Sequence, residues 1–426
     1  MAVQVETSKE SEGASVEAPS VEAHSVEARR GGMFRALSYR NFRLFWTGAF
    51  LSNIGTWMQA VDQGWLVYHL TNSTFWLGLD GFMATVPGLL LTLLGGVFAD
   101  LIDRRRLLIY TQIGAGLSAL TLAVLVVTDA VHVWMILALS FVTGCCMALA
   151  GPSYQAITVD LVGREDVPNA IALNSTQFQL SRVIGPVFAG LAFNTLGIAG
   201  CFFGNAASFI AVVVSLSLVR YDDDAGRPGL ARAAKGERAI WHDLVAGVRY
   251  VRKRPRVFML LLISASTSLF GAPYLTLVPY FARDILHMDE KGLSLLMGVS
   301  GVGACVAALL LAFLGNFRRK GWSVLGGSFF FALSLVGFSL STHVATSMLF
   351  IFGMGFAIVS CVAVINTLLQ QLVTDEMRGR VMSMFILSFV GAMPLGNLIA
   401  ATASQRFGAP HTLAAGGIII AVFVTI

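Results

Sequence analysis

Arg182 is the residue that calls first for a chemical explanation. It lies near the middle of an apolar stretch, about fourteen residues from either end, or roughly 21 Å of helix. A guanidinium at that depth costs at least about 2.5–3.5 kcal/mol and is too far from either end to snorkel. It must therefore face a protein interior in which a carboxylate, polar groups or water solvate it. Two acids lie well inside other apolar stretches, Asp62 and Asp80. Asp62 shares a helical face with Gln59, and Thr56 and Asn53 extend that face as a polar stripe. Both aspartates fall in one outer third, so a direct Asp62–Arg182 pair is open, and Gln59 is nearer to Arg182 in depth. Together Asp62, Gln59, Arg182 and Asp80 are the candidates for a coupling or substrate cavity. In one reading Asp62 is a protonation switch, with Arg182 as its counter-charge or as an anchor for an anion. In the other, the same groups form a static network that pins helices together; for the shallower Asp80 this second reading leads.

Other chemistries find no residues. No HExxH pattern, no GxxxxGK[ST] loop and no metal-ligand spacing occurs, and His69, His132, His287 and His343 sit at the ends of apolar stretches. Cys145, Cys146, Cys201, Cys305 and Cys361 all lie within apolar runs and read as small packing residues. No catalytic residues, metal or cofactor are expected, the chain is not expected to be an enzyme, and a proton gradient is the expected source of energy.

Elements that could position such residues follow from composition. Of 426 residues 56% are hydrophobic and only 12% charged, with 43 Gly and 30 Phe; a soluble domain carries roughly 25% charged residues. Lipid can accommodate so much apolar surface where a soluble core could not. Glycine then allows close helix contact where lipid provides no hydrophobic drive for association. A span needs roughly 20 apolar residues, and the pattern predicts spans near 43–69, 75–100, 106–128, 132–160, 168–196, 198–219, 257–283, 291–315, 321–341, 345–372, 378–406 and 409–426. The fold class is thus an all-α membrane protein of twelve transmembrane helices.

Arg104, Arg105 and Arg106, Arg164, the basic run from Arg220 to Arg256, Arg318, Arg319 and Lys320, and Arg378 with Arg380 fall in alternate loops; the others hold only Arg283, Lys291 and Arg406. That asymmetry predicts a cytoplasmic N-terminus and C-terminus. Residues 1–32, with the repeated SVEAP, SVEAH and SVEAR, read as a disordered cytoplasmic tail. A six-helix bundle over 33–220 and another over 257–426 flank a linker at 221–256, whose later part, Glu237 to Arg254, reads as an amphipathic surface helix. The halves are related: the stretch from Leu161 to Gly197 aligns without a gap onto Leu372 to Gly408, matching Glu165 with Glu376, Gly185 with Gly396 and Ala189 with Ala400. Duplication of this kind builds secondary transporters, with the site between repeats near the midplane.

The loop after the second span reads Gly96-Val97-Phe98-Ala99-Asp100-Leu101-Ile102-Asp103-Arg104-Arg105-Arg106. It resembles the loop motif of the major facilitator superfamily, with Leu101 where Arg is usual and Asp103 where Gly is usual. The segments "NFRLFWTGAFLSNIGTWMQAVDQGWLVYHLT", "NAIALNSTQFQLSRVIGPVFAGL", "FFGNAASF" and "FGAPYLTLVPYFARDIL" resemble the branch that contains the enterobactin exporter and related efflux proteins. The resemblance covers residues 34–426 and implies the major facilitator fold. It also implies that Gly96, Asp100, Arg104, Arg105 and Asp160 form a cytoplasmic gate against the start of the eleventh span, near Met377 and Arg378. Physically, carboxylates at a helix end accept hydrogen bonds from arginines or from free N–H groups; simple positive-inside anchoring is the alternative. Gly185, Pro186 and Gly190 resemble the GPxxGG motif of exporters, with Ala189 replacing one Gly, which tilts the direction towards efflux.

Gly151-Pro152, Pro273, Pro279 and Pro394 read as kink sites. Trp57, Trp65, Tyr68, Trp76 and Tyr274 read as anchors in the interfacial aromatic belt. The sequence thus predicts a secondary active transporter of the plasma (inner) membrane, multi-pass and monomeric. It would export a small, largely apolar molecule, siderophore-like or drug-like, by proton antiport. Membrane lipids and a small-molecule substrate are its expected partners, with no nucleic acid. A non-transporting scaffold or sensor and a lipid flippase are the alternatives.

Overall fold

A proline, a glycine or a capping residue bounds most apolar stretches, and the computed structural model turns these stretches into rods. It describes residues 34–101, 103–219, 246–315 and 317–425, with the side chains of 92–101 and of residue 194 outside that description. The helices are α1 (Arg40–Thr71), α2 (Thr74–Leu101), α3 (Arg104–Val127), α4 (Val133–Asp160), α5 (167–196), α6 (198–218), α7 (Pro255–Ile285), α8 (Glu290–Leu314), α9 (Lys320–Leu340), α10 (Val344–Leu372), α11 (Asp375–Phe407) and α12 (Ala409–Thr425). No strand occurs among the described residues. The predicted tail at 1–32 and most of the predicted amphipathic segment lie outside the described residues. A short helix over 246–252 is seen, packing Gly247 against Met384 of α11.

Nine helical segments are long and apolar enough to cross a membrane among the described residues. Absent from the nine are α1 and α5, the helices that carry the Asn53–Gln59–Asp62 stripe and Arg182, and α12, which is shorter. The polar residues that lower the hydropathy of α1 and α5 include ones that the interior of the bundle uses, Gln59, Asp62, Gln177 and Arg182 among them.

Breaks in the rods have local causes. Gly197 separates α5 from α6 at φ +66°, and Gly408 separates α11 from α12 at φ +83°, left-handed values that a residue without Cβ adopts at no steric cost. These two glycines are matched by the ungapped alignment predicted above. Within α7, π turns at Thr267–Gly271 and Phe281–Ile285 flank Pro273 and Pro279, which lack the N–H that an α-helical ladder requires. In α11 the helix is interrupted between Phe389 and Ala392, just before Pro394.

α1 packs on α5, α2 on α4, and α3 on α4 and α6, while α8 and α9 both pack on α10 and α9 packs on α12. The first six helices meet the last six mainly through α5 on α8 and α2 on α11. One end of the bundle carries Arg104, Arg105, Arg106, Arg164, Arg318, Arg319 and Arg378, and is called the basic end below. At the opposite end the two sets of helices touch: Ser404 Oγ donates to Thr74 Oγ1 at 3.0 Å, Tyr68 hydrogen-bonds Asp284, and Gly78 of α2 lies against Ala401 of α11.

Candidate functional site

Between the two sets of helices lies a cavity of about 350 Å³. Thr56, Gln59, Gln63, Asp80, Ser140 and Asn205 supply its polar wall, and Leu77, Ala84, Met147, Leu275, Leu293 and Met297 supply apolar surface. All of these polar residues but Thr56, which donates to the Ser52 carbonyl, form one connected chain. Gln63 Nε2 donates to both oxygens of Asp80, at 3.1 and 2.9 Å, and to Ser140 Oγ at 2.8 Å, while Ser140 Oγ lies 2.5 Å from Asp80 Oδ1. Gln59 Nε2 donates to Gln63 Oε1 at 3.1 Å, and Asn205 Nδ2 donates to Gln59 Oε1 at 2.7 Å. Helical spacing explains why α1 can supply two links: Gln59 and Gln63 are four residues apart and so stack on one face. Asp80 is the only one of these groups that carries charge, so the chain ends on a carboxylate that accepts from two donors, Gln63 and Ser140.

Arg182 is buried, as its depth demanded, but its solvation is of another kind than a carboxylate. Its Nη2 donates to Tyr274 Oη at 3.3 Å and to Ser300 Oγ at 3.2 Å, and those two hydroxyls lie 3.0 Å apart. The guanidinium sits 5.4 Å from the centre of the Trp57 ring, a cation–π contact. Arg182 thus bridges α5 to α7 and α8, from one set of helices to the other. Trp57 and Tyr274, expected in an interfacial belt, are instead its partners, and Tyr274 is fully buried. Tyr68 leaves the belt as well: it is buried at the opposite end, with Arg283 5.4 Å from its ring centre.

Asp62 does not reach Arg182. Trp57 and Met58 of α1 face Gly185 of α5. Asp62, four to five residues further on, turns about 40–140° from them at roughly 100° per residue. It faces Glu290, the first residue of α8, with the Cys201 thiol of α6 beside it. Asp62 is 0% exposed and Glu290 1%. No N–H or hydroxyl donor reaches the oxygens of either carboxyl. Glu290 was missed because it reads as a loop residue between Asp289 and Lys291. The signal that could have found it is Asp289, which caps α8 by accepting from the Gly292 N–H at 3.0 Å and so puts Glu290 inside the helix.

At the basic end, Arg104 Nη1 meets Asp160 Oδ2 at 3.0 Å, while Arg105 donates to the carbonyls of Leu216 and Ser217, both at 2.7 Å. Arg378 pairs with Asp375 at 2.5 Å. These contacts each stay within one set of helices and join Arg104 to Asp160. Gly96 and Asp100 lie in the last turns of α2, where side chains fall outside the description. The fifth-helix motif divides its work. A Cβ on Gly185 would lie 2.5 Å from Trp57 Cβ, against α1 of the same set; Gly190 faces Ser294 of α8, 3.2 Å from its Cβ. Pro186 lies inside α5 between them. Only Gly190 brings the other set of helices close.

Comparison with known proteins extends the geometry. A family model described as "transmembrane secretion effector" matches residues 32–426. The chain is 24% identical over 382 residues to the staphyloferrin A transporter of Staphylococcus aureus, covering 88% of this chain and 92% of that protein. It is 22% identical to macrolide efflux protein A of Streptococcus pyogenes (90% and 95% covered) and 25% identical to the enterobactin exporter EntS of Escherichia coli (86% and 88% covered). The nucleoside transporter NupG superposes with a TM-score of 0.75 at 9% identity, covering 90% of this chain and 99% of that one. A bacterial homologue of the human lysosomal transporter Spinster, solved inward-facing and unoccupied, superposes at 0.68 with 15% identity, covering 91% and 96%. At these identities the two solved structures speak to the fold alone.

Proposed function

The chain belongs to the transmembrane secretion effector family of the major facilitator superfamily, and from that premise we propose that it exports a small, largely apolar molecule by alternating access coupled to proton entry. It is an integral membrane transporter of the efflux type and not an enzyme, in common with relatives named for siderophores and for drugs. The observation that carries the finer reading is the cavity between the two sets of helices. Its mixed lining suits a cargo that is apolar over most of its surface and polar at one edge. The Gln–Ser–Asp chain supplies that edge.

In this reading twelve helices cross the bilayer as two related halves joined through 221–256, and the basic end faces the cytoplasm. Contacts at the opposite end then make this the inward-facing state, with the cavity open to cytoplasmic cargo. In the outward-facing state the cluster of Asp100, Arg104 and Asp160 meets the start of α11 and shuts the cytoplasmic side. Arg182 is the inter-half strut of the inward-facing state. The working form is a monomer, and its partners are the cargo and the surrounding lipid. The test is uptake into inverted membrane vesicles under an imposed pH gradient, against a panel of catecholates, hydroxycarboxylates and macrolide-like amphiphiles. Gradient-dependent accumulation of at least one class is the expected result; a panel without gradient-dependent accumulation would defeat the reading, and accumulation of fluorescent phospholipid alone would favour a flippase.

A further inference from the structure

Asp62 and Glu290 have a feature that export by itself does not account for. Two carboxyls come together from opposite halves of the molecule, α1 and α8, at 0% and 1% exposure. No N–H or hydroxyl donor is directed at either one. The groups that face them are few. From α6 comes the Cys201 thiol, and before α8 comes the Asp289 carboxylate, itself engaged with the Gly292 N–H. From α7, Tyr280 and Asp284 contact Tyr68, further along α1, and Arg283 lies over the Tyr68 ring with its Nη1 buried and without a hydrogen-bond partner. Among the described residues, no lysine or arginine is ion-paired with Asp62 or Glu290. Ser294, one turn along α8 on the face of Glu290, has a buried hydroxyl without a partner. Val61, next to Asp62, and Leu293, three residues after Glu290, line the cavity, so the pair borders it.

Carboxylates only accept hydrogen bonds, so two of them in contact lack a donor unless one carries a proton. With one proton the pair is a short, charge-assisted O–H···O bond across the halves; with none it is two like charges in a poorly solvated site. We propose that Asp62 and Glu290 form one proton-binding site shared between the halves, which holds the end opposite the basic loops shut while it carries a proton and opens that end when the proton leaves. The step is a simple dissociation: the acid O–H bond breaks, the proton passes to water, and two carboxylates remain. Its role in the cycle rests on the proposed proton-coupled export, where protonation from outside closes that side and release toward the cavity permits it to reopen. The site differs from a pairing of Asp62 with Arg182, because its second member is an acid and the gated end is the one at which the halves touch.

The experiment uses the full chain in phosphatidylcholine liposomes without cargo, so that loss of transport and loss of the site are separable. Infrared difference spectra over a pH titration read the carbonyl stretch of protonated carboxyl groups. Wild type is expected to show a protonated-carboxyl band that disappears as pH rises. The band should be lost in both Asp62→Asn and Glu290→Gln, and kept in Asp80→Asn. A band of wild-type intensity in Glu290→Gln would overturn the shared site. A second readout is the distance between spin labels at Ala130→Cys and Gln405→Cys, with Cys145, Cys146 and Cys305 replaced by Ser. In wild type the distance lengthens as pH rises. In Asp62→Asn the amide supplies a donor that does not titrate, so the distance stays short at every pH; opening of this variant in step with wild type would refute the proposal. Should Glu290→Gln fail to fold, Glu290→Asp is expected to keep the band but with a displaced titration, and an unchanged titration would count against the site.

Discussion

Gly301 offers a perturbation that separates a rocking interface from ordinary packing. A Cβ there would lie 2.5 Å from the carbonyl oxygen of Arg182, 2.8 Å from its carbonyl carbon and 3.0 Å from the nitrogen of Val183. These are backbone atoms of α5, which cannot turn aside as a side chain can. Gly301→Ala therefore requires α5 and α8 to separate, and overpacking of this kind costs about 1–3 kcal/mol. The cost falls only on the state in which the helices touch, so that state should lose population by roughly 5–150-fold relative to its alternative. Gly303 is the control. Its Cβ would meet the carbonyl of Phe352 and lie 3.0 Å from the nitrogen of Phe356, both on α10 in the same half as α8. Replacing either glycine brings the same helix-propensity gain of about 1 kcal/mol, so the comparison isolates the contact. The label pair at Ala130 and Gln405 should show the end opposite the basic loops opening in Gly301→Ala, with little change in the unfolding temperature. Gly303→Ala should lower the unfolding temperature and leave the distance distribution alone. If the two variants lose stability alike and neither distribution moves, the α5–α8 contact is static and the alternating account fails at its main hinge.

Arg182→Met removes two charge-assisted hydrogen bonds and a cation–π contact, but also the cost of a buried charge. The closed state should lose about 2–3 kcal/mol net, read as a shift of the same distance distribution with membrane insertion unchanged. Asp80→Asn places a donor where Gln63 and Ser140 both donate, at a cost of about 1–3 kcal/mol; in a binding assay a cationic cargo should lose tenfold or more in affinity, and an anionic one should not. Arg104→Ala and Asp160→Ala should each change stability by no more than about 1 kcal/mol, because a pair at a solvent-reached helix end, with side chains 13% and 34% exposed, contributes little. Their effect, measured as flux, should appear in the rate of return to the inward-facing state.

Much of the architecture was legible because lipid imposes simple rules. Long apolar stretches had to become helices, and the alternation of arginine-rich and arginine-poor loops had to sort their ends. The two glycines matched by the internal alignment, Gly197 and Gly408, both take positive φ. Arg182 could be singled out by elimination, since every other basic residue fell in the tail, in a loop or at the end of a span. What depth along a helix does not reveal is direction around it. Trp57 and Tyr274, read as belt residues, lie at the depth of Arg182 and point inward to it. Asp62 has nearly the depth to meet Arg182, but it lies on another face of α1 and turns to Glu290. Glu290 itself was hidden by its neighbours Asp289 and Lys291. Its burial comes from the docking of α8 on α1, a contact between residues more than two hundred positions apart. Gln63, Ser140 and Asn205 were not singled out either, because small amides and hydroxyls are common in membrane helices and only their mutual hydrogen bonds mark them.

The central claim, that cargo leaves as protons enter, is tested most directly in sealed proteoliposomes that carry a pH-sensitive dye. The cargo class found in the vesicle panel would be supplied on the side of the basic loops. The account predicts that cargo movement and an opposing proton flux appear together, that reversing the pH gradient reverses both, and that Asp62→Asn abolishes the proton signal. Cargo movement that continues at the same rate with the gradient collapsed by a protonophore, and with no proton signal in wild type, would contradict it.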